Sequence, residues 1–155
     1  SMLPGEPARQ IAGAALLFEE FIERECKAGR MRLDLQPLPQ KRVLLHGHCH
    51  QKAFGAMPAV NAVLARIPQL QIDTVQSSCC GMAGSFGFEA NHYAVSMRMA
   101  EAALLPAVRE AADDTLIVAD GTSCRHQIHD GAKRESLHVA RVLLRALQPA
   151  ESAPK

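Results

Sequence analysis

Cys49, Cys79, Cys80 and Cys124 are the residues of this chain best suited to chemistry. Thiolates hold soft metals and iron–sulfur groups, and act as nucleophiles where their pKa is lowered. The adjacent pair Cys79-Cys80 narrows that choice. A mononuclear zinc site draws thiolates from spacings such as C-x2-C, which wrap one ion at ~2.3 Å, whereas directly adjacent side chains point apart. A cluster presents several irons, so neighbouring thiolates can each reach a different one. A vicinal disulfide demands a strained peptide. The pair therefore favours an iron–sulfur cluster, with zinc as the alternative. Cys26 stands alone on a helical stretch and reads as a small buried hydrophobe.

The surroundings extend this reading. In Cys80-Gly81-Met82-Ala83-Gly84-Ser85-Phe86-Gly87, glycines let backbone approach a large inorganic group and aim N–H groups at its sulfurs. The spacing differs from the dinucleotide and phosphate fingerprints, so no flavin or nucleotide site is expected on this chain. His46, His48 and His50 alternate around Cys49, and on extended backbone they would share the side opposite to it. His48 and His50 are candidates to flank the metal, and His46 reads as an ordinary loop histidine. His126 and His129 follow Cys124 on a helical turn. A thiol enzyme is a third reading, with Cys80 as nucleophile at a helix N-terminus and His50 as base. It leaves three cysteines without a role.

Elements that would position these residues are legible from periodicity. Ile11, Ala15, Phe18 and Ile22 recur at helical spacing and predict a helix from about Glu6 to Gly29, followed by a Pro-punctuated linker to Gln40. Val43-Leu44-Leu45, Ile72-Asp73-Thr74-Val75 and Thr115-Leu116-Ile117-Val118-Ala119 read as strands. Helices are expected from Pro58 to Ile67, from about Asn91 to Ala112 with a kink at Pro106, and around Val139 to Ala146. Strands alternating with helices predict an α/β fold with a short, mostly parallel sheet flanked by helices. Each strand is followed within four or five residues by cysteine, so a parallel sheet would bring all four thiols to the loops at the carboxyl ends of the strands.

Bulk properties exclude several classes. A net charge of +1 and a 4% aromatic share give no footprint for nucleic acid. No apolar run reaches the ~20 residues that span a bilayer. Five unevenly spread cysteines make a poor disulfide framework and fit a reducing, cytoplasmic setting, membrane-peripheral at most through partners. Ser1 ahead of Met2 reads as a remnant of tag removal, and residues 149–155 as a flexible tail.

Cys49, the triplet Cys79-Cys80-Gly81, and Cys124 together resemble the CCG cysteine-rich domain found in heterodisulfide reductase and in the iron–sulfur subunits of glycolate oxidase and anaerobic glycerol-3-phosphate dehydrogenase. His46-Gly47-His48-Cys49-His50-Gln51-Lys52-Ala53 and Asp120-Gly121-Thr122-Ser123-Cys124-Arg125-His126-Gln127-Ile128 further resemble the C-terminal iron–sulfur part of FAD-linked oxidases. The resemblance implies a domain over residues 41–148, and residues 1–40 as the tail of an upstream half. It also implies Cys49, Cys79, Cys80 and Cys124 as ligands of a cluster, 4Fe-4S in type, surrounded by His48, His50, Gly81, Gly84 and Arg125. The implied function is electron transfer in an FAD-linked oxidoreductase of 2-hydroxy acids. FAD would sit on a partner domain or subunit, the electron acceptor is unspecified, and the isolated chain would be inactive. Many family members close the motif with C-x-x-C, where this chain has Gln127, which favours four thiolates over five.

Overall fold

The computed structural model describes residues 4–77 and 79–147. The readings of Ser1 and of the tail at 149–155 lie outside the described residues. Four short strands form one parallel sheet in the order β2-β1-β3-β4: β1 Arg42–His46, β2 Gln71–Thr74, β3 Leu116–Ala119 and β4 Ser136–Leu137. Val43 pairs with Ile72 on one side and Leu116 on the other, and Ile117 pairs with Ser136.

Alternation along the strands splits the core across the sheet. Val43, Leu45, Leu116 and Val118 face one layer, where they pack with Ile22 of α2 (Phe18–Lys27), Val60, Val63 and Leu64 of α4 (Met57–Leu64), and Val142 and Leu143 of α8 (Val139–Leu147). Ile117 and Ala119 face the other layer, with Leu104 and Val108 of α6 (Leu104–Glu110) and Ile128 of α7 (Thr122–Ala132). β3 is buried along its whole length, which explains its continuous apolar sequence. Leu35 and Leu38, from the linker before β1, lie in the same core as Val43.

Two expected long helices are each divided. The N-terminal stretch forms α1 (Glu6–Ala14) and α2, and Ile11, expected on a buried face, is exposed. The second helix starts afresh because the Glu20 carboxylate accepts the Leu17 backbone N–H at 2.9 Å, capping a new first turn. The stretch from 91 to 112 becomes α5 (Tyr93–Glu101) and α6, with Ala103 at φ −158° between them. Pro106 accounts for the break, since it lacks the N–H that would reach the Ala102 carbonyl and its ring collides there. β4 is additional to the three expected strands. It is two residues long and carries no β-branched run. Among the described residues, no helix is long and apolar enough to cross a membrane.

Candidate metal centre

Because β1, β2 and β3 run parallel, their carboxyl ends open at one edge, and each launches cysteine. β1 ends at His46, and after Gly47 and His48 the chain enters α3 (Cys49–Ala53) at Cys49. β2 leads through buried Val75 to Cys79 and Cys80. β3 leads to Gly121, which precedes α7, and Cys124 lies in the first turn of that helix. All four cysteines line one cavity of about 410 Å3, shared with His48, His50, Ala83, Gly84 and Ser123. Cys80 and Cys124 are buried, whereas Cys49 and Cys79 are partly exposed, and all are free thiols. Cys26 packs against the main core instead.

The innermost pair sets the electrostatics. The Cys124 thiol donates to Cys80 Sγ at 3.3 Å. That donation, reinforced by His46 and the Met82 backbone, pushes the Cys80 thiol down against the effect of burial. The same bond, with burial, holds the Cys124 proton and pushes that thiol up. One negative charge is thus favoured on the pair and the second is resisted, the state a bound cation would relieve. Gly81, at φ +89°, donates its N–H to Cys79 Sγ at 3.3 Å. A Cβ there would stand 2.1 Å from the Ser96 carbonyl oxygen, so only glycine fits the turn. Gly121 is similarly constrained, since a Cβ would meet His48 Cδ2 at 2.2 Å and Cys124 Sγ at 2.9 Å.

His46, which reads from the sequence as a loop histidine, instead ends β1 and is 1% exposed. Its Nδ1 lies 3.0 Å from Ser77 Oγ. Its Nε2 is buried and makes no well-aligned hydrogen bond among the described residues. His46, Cys80 and Cys124 offer donor atoms that all lie within 4.8 Å of one another, a grouping that Cys49 and Cys79 stand outside. A buried imidazole nitrogen facing two buried sulfurs is a metal-facing arrangement. The signal for it in the sequence is its place at the carboxyl end of an apolar strand, where the other strands deliver cysteine.

The three histidines do not share one side. His46 ends a strand, His48 precedes α3 and accepts the His50 N–H on Nδ1 at 3.3 Å, and His50 is helical. His48 and His50 both line the cavity, and burial, then His50, pushes His48 below its ordinary value. Arg125 is outside the lining of the sulfur cavity: its guanidinium donates to the Ala119 and Asp120 carbonyls at 3.0 and 2.6 Å, fastening the loop after β3. Gln127 is buried, and its amide donates to the Cys80 carbonyl at 3.0 Å and to Ser96 Oγ at 3.0 Å. This side chain is committed to clamping the Cys80 backbone. His126 lies against Phe88, and His129 faces Asp130 and Glu135, neither lining the sulfur cavity.

A family model described as CCG, cysteine-rich domain, matches residues 43–129, more than half of the chain. The chain belongs to the CCG cysteine-rich family. Its match begins in β1 and ends in α7, so it takes in every strand end that carries cysteine. The chain is also 34% identical over 115 residues to a named component of anaerobic glycerol-3-phosphate dehydrogenase from Escherichia coli K12, and equally to its counterpart from Escherichia coli O157:H7. Those alignments cover 74% of this chain but 28% of each relative, so this CCG domain spans a little over a quarter of the proteins it matches. No solved structure matches.

Proposed function

We propose that this CCG domain is the iron–sulfur electron-transfer part of an FAD-linked oxidoreductase of 2-hydroxy acids. It would accept electrons from a flavin on a partner domain or subunit and deliver them to a further acceptor. The observation that carries the reading is the gathering of Cys49, Cys79, Cys80 and Cys124 on one cavity of about 410 Å3. Thiolates sharing a single ion at ~2.3 Å must approach one another within roughly 4 Å. Of the four, Cys80 and Cys124 meet that condition, their sulfurs 3.3 Å apart, and group with His46 rather than with Cys49 or Cys79. The wider spread of the other two suits a group with several metal centres.

When bound, such a cluster supplies one-electron redox chemistry. The chain's own part would be to hold it with four thiolates, with the imidazole of His46, from β1, facing Cys80 and Cys124. The Gly81 N–H on Cys79 Sγ and the Met82 backbone beside Cys80 place hydrogen bonds on the sulfurs, which tune a cluster's potential. Cys79 and Cys49, the partly exposed members, would form the face toward a partner. The relatives are named as parts of a dehydrogenase, which supports an oxidoreductase assembly. The 2-hydroxy-acid assignment rests on the wording around Cys49 and Cys124.

Zinc is the second reading, and the compact trio His46, Cys80 and Cys124 is what favours it. Such a site uses one member of the adjacent pair, which removes the objection that adjacent thiolates chelate one ion poorly. Protein purified without oxygen discriminates: iron with acid-labile sulfide and brown colour supports the cluster, and colourless protein with one zinc supports the alternative. The isolated chain is expected to turn over no 2-hydroxy acid, since it carries no flavin fingerprint. Turnover by flavin-free protein would contradict the proposed division of labour.

A further inference from the structure

Beside the cysteine cavity lies a second group of metal-type side chains, from three different elements. Glu19 comes from the first turn of α2, Asp120 follows β3, and His138 sits between β4 and α8. One donor atom from each lies within 4.8 Å of the others. They line a separate cavity of about 260 Å3, whose wall also includes His48, His50 and Gln51.

The hydrogen bonding shows what is missing. Glu19 is 2% exposed, and its Oε1 is buried with no partner among the described residues. Asp120 Oδ2 accepts the Gln51 amide at 2.6 Å, and Oδ1 accepts the Val139 N–H at 2.9 Å. His138 Nδ1 accepts the Ala140 N–H at 3.0 Å, so in the neutral ring it carries a lone pair and the proton sits on Nε2. The same nitrogen lies 3.4 Å from Asp120 Oδ1. Acceptors therefore converge from three elements, and a buried carboxylate oxygen among them is left unsatisfied. Burial, then the Asp120 carboxylate, pushes the Glu19 carboxyl up to about 7, against the weaker opposing pull of hydrogen bonds from its own backbone and from Gln51.

We propose that Glu19, Asp120 and His138 form a second metal site that takes one divalent first-row transition ion. Two carboxylates and an imidazole suit hard-to-borderline ions such as manganese, iron(II) or zinc rather than the soft clusters favoured by thiolates. Coordination through His138 Nδ1 would draw it off the Ala140 cap, exchanging one capping bond for a metal bond. The cavity leaves room for water on the open side, with His50 at hand in the wall. The ion would also brace the cysteine loops. Gln51 links Asp120 to the His48 N–H, which its Oε1 accepts at 3.0 Å just ahead of Cys49, and Asp120 begins the loop to Cys124.

Manganese tests the site, because it prefers oxygen and nitrogen donors and binds thiolates poorly. Purified chain would be titrated with Mn2+ alone while the free-ion signal is followed by electron paramagnetic resonance. We expect one equivalent bound, with affinity reduced at least tenfold in Glu19→Gln and in His138→Gln. Glu19→Gln keeps the side-chain volume and removes the buried charge, so its melting temperature should not fall below that of the original chain. No binding by the original chain overturns the proposal. So does binding by both variants at full affinity, which would place the ion elsewhere.

Discussion

At the residue scale, the cysteine pocket depends on more than its four thiols. Gln127 spans from α7 to the Cys80 carbonyl and Ser96, all of them buried. Gln127→Ala leaves those groups without a partner in the core, and a loss of about 1–3 kcal/mol is expected, read from the urea midpoint. Gly81→Ala adds a Cβ that meets the Ser96 carbonyl oxygen at a left-handed φ, so it should cost at least about 2 kcal/mol and release bound metal. His46→Asn is expected to fold and to retain metal at least about tenfold more weakly, the size of effect typical of groups close to a metal. Metal content after gel filtration, beside an unchanged circular dichroism spectrum, measures this. Retention at the original level would remove His46 from the site.

At the scale of elements, what brings the thiols together is the parallel order of three strands, and that order is legible in the sequence. A continuous apolar β3 and a clear helical face between Pro58 and Ile67 leave little freedom, since strands joined by helical crossovers pair in parallel. Periodicity fails where local hydrogen bonding outcompetes it. The division between α1 and α2 turns on Glu20 reaching back to Leu17, a bond that hydrophobic spacing does not register. The break before α6 is signalled by Pro106 but falls several residues ahead of it, at Ala103. His46 escapes a reading by apolar letters because the strand runs one residue further than they do, carrying the ring into the core. The placement of α2 rests partly on Glu23, which bonds Arg66 after α4 at 2.8 Å and Lys27 at 2.9 Å. Arg66, then Lys27, holds its carboxyl below the usual value. A carboxylate with a lowered folded-state pKa stabilises the fold above its ordinary pKa, and that contribution fades as pH falls through the lowered one. Glu23→Gln should therefore reduce stability at neutral pH and make its pH dependence less steep below the ordinary value of 4.5. Urea unfolding at about pH 7 and about pH 3 checks the pair.

At the scale of the whole molecule, two helical layers close on a single sheet, and the metal-type residues collect at one of its edges. The segment before β1 is unequal in its commitment to that body. α1 has no buried residue, while Ile22, Leu35 and Leu38 enter the main core. Removing residues 1–15 is expected to shift the melting temperature by no more than about 2 °C, whereas removing residues 1–40 should leave the chain unable to fold, because it bares the face formed by Val43, Val60 and Leu64. Folding of the shorter piece would contradict the structural part given to Ile22, Leu35 and Leu38. The face carrying Cys49 and Cys79 is the one through which electrons would pass, so the redox state of the pocket is the decisive property. It is read most directly by a potentiometric titration, followed by electron paramagnetic resonance, of chain purified or reconstituted with iron and sulfide without oxygen. A reversible one-electron signal that disappears in Cys80→Ser is the predicted result. A protein that stays silent and colourless while holding one zinc would contradict the electron-transfer role.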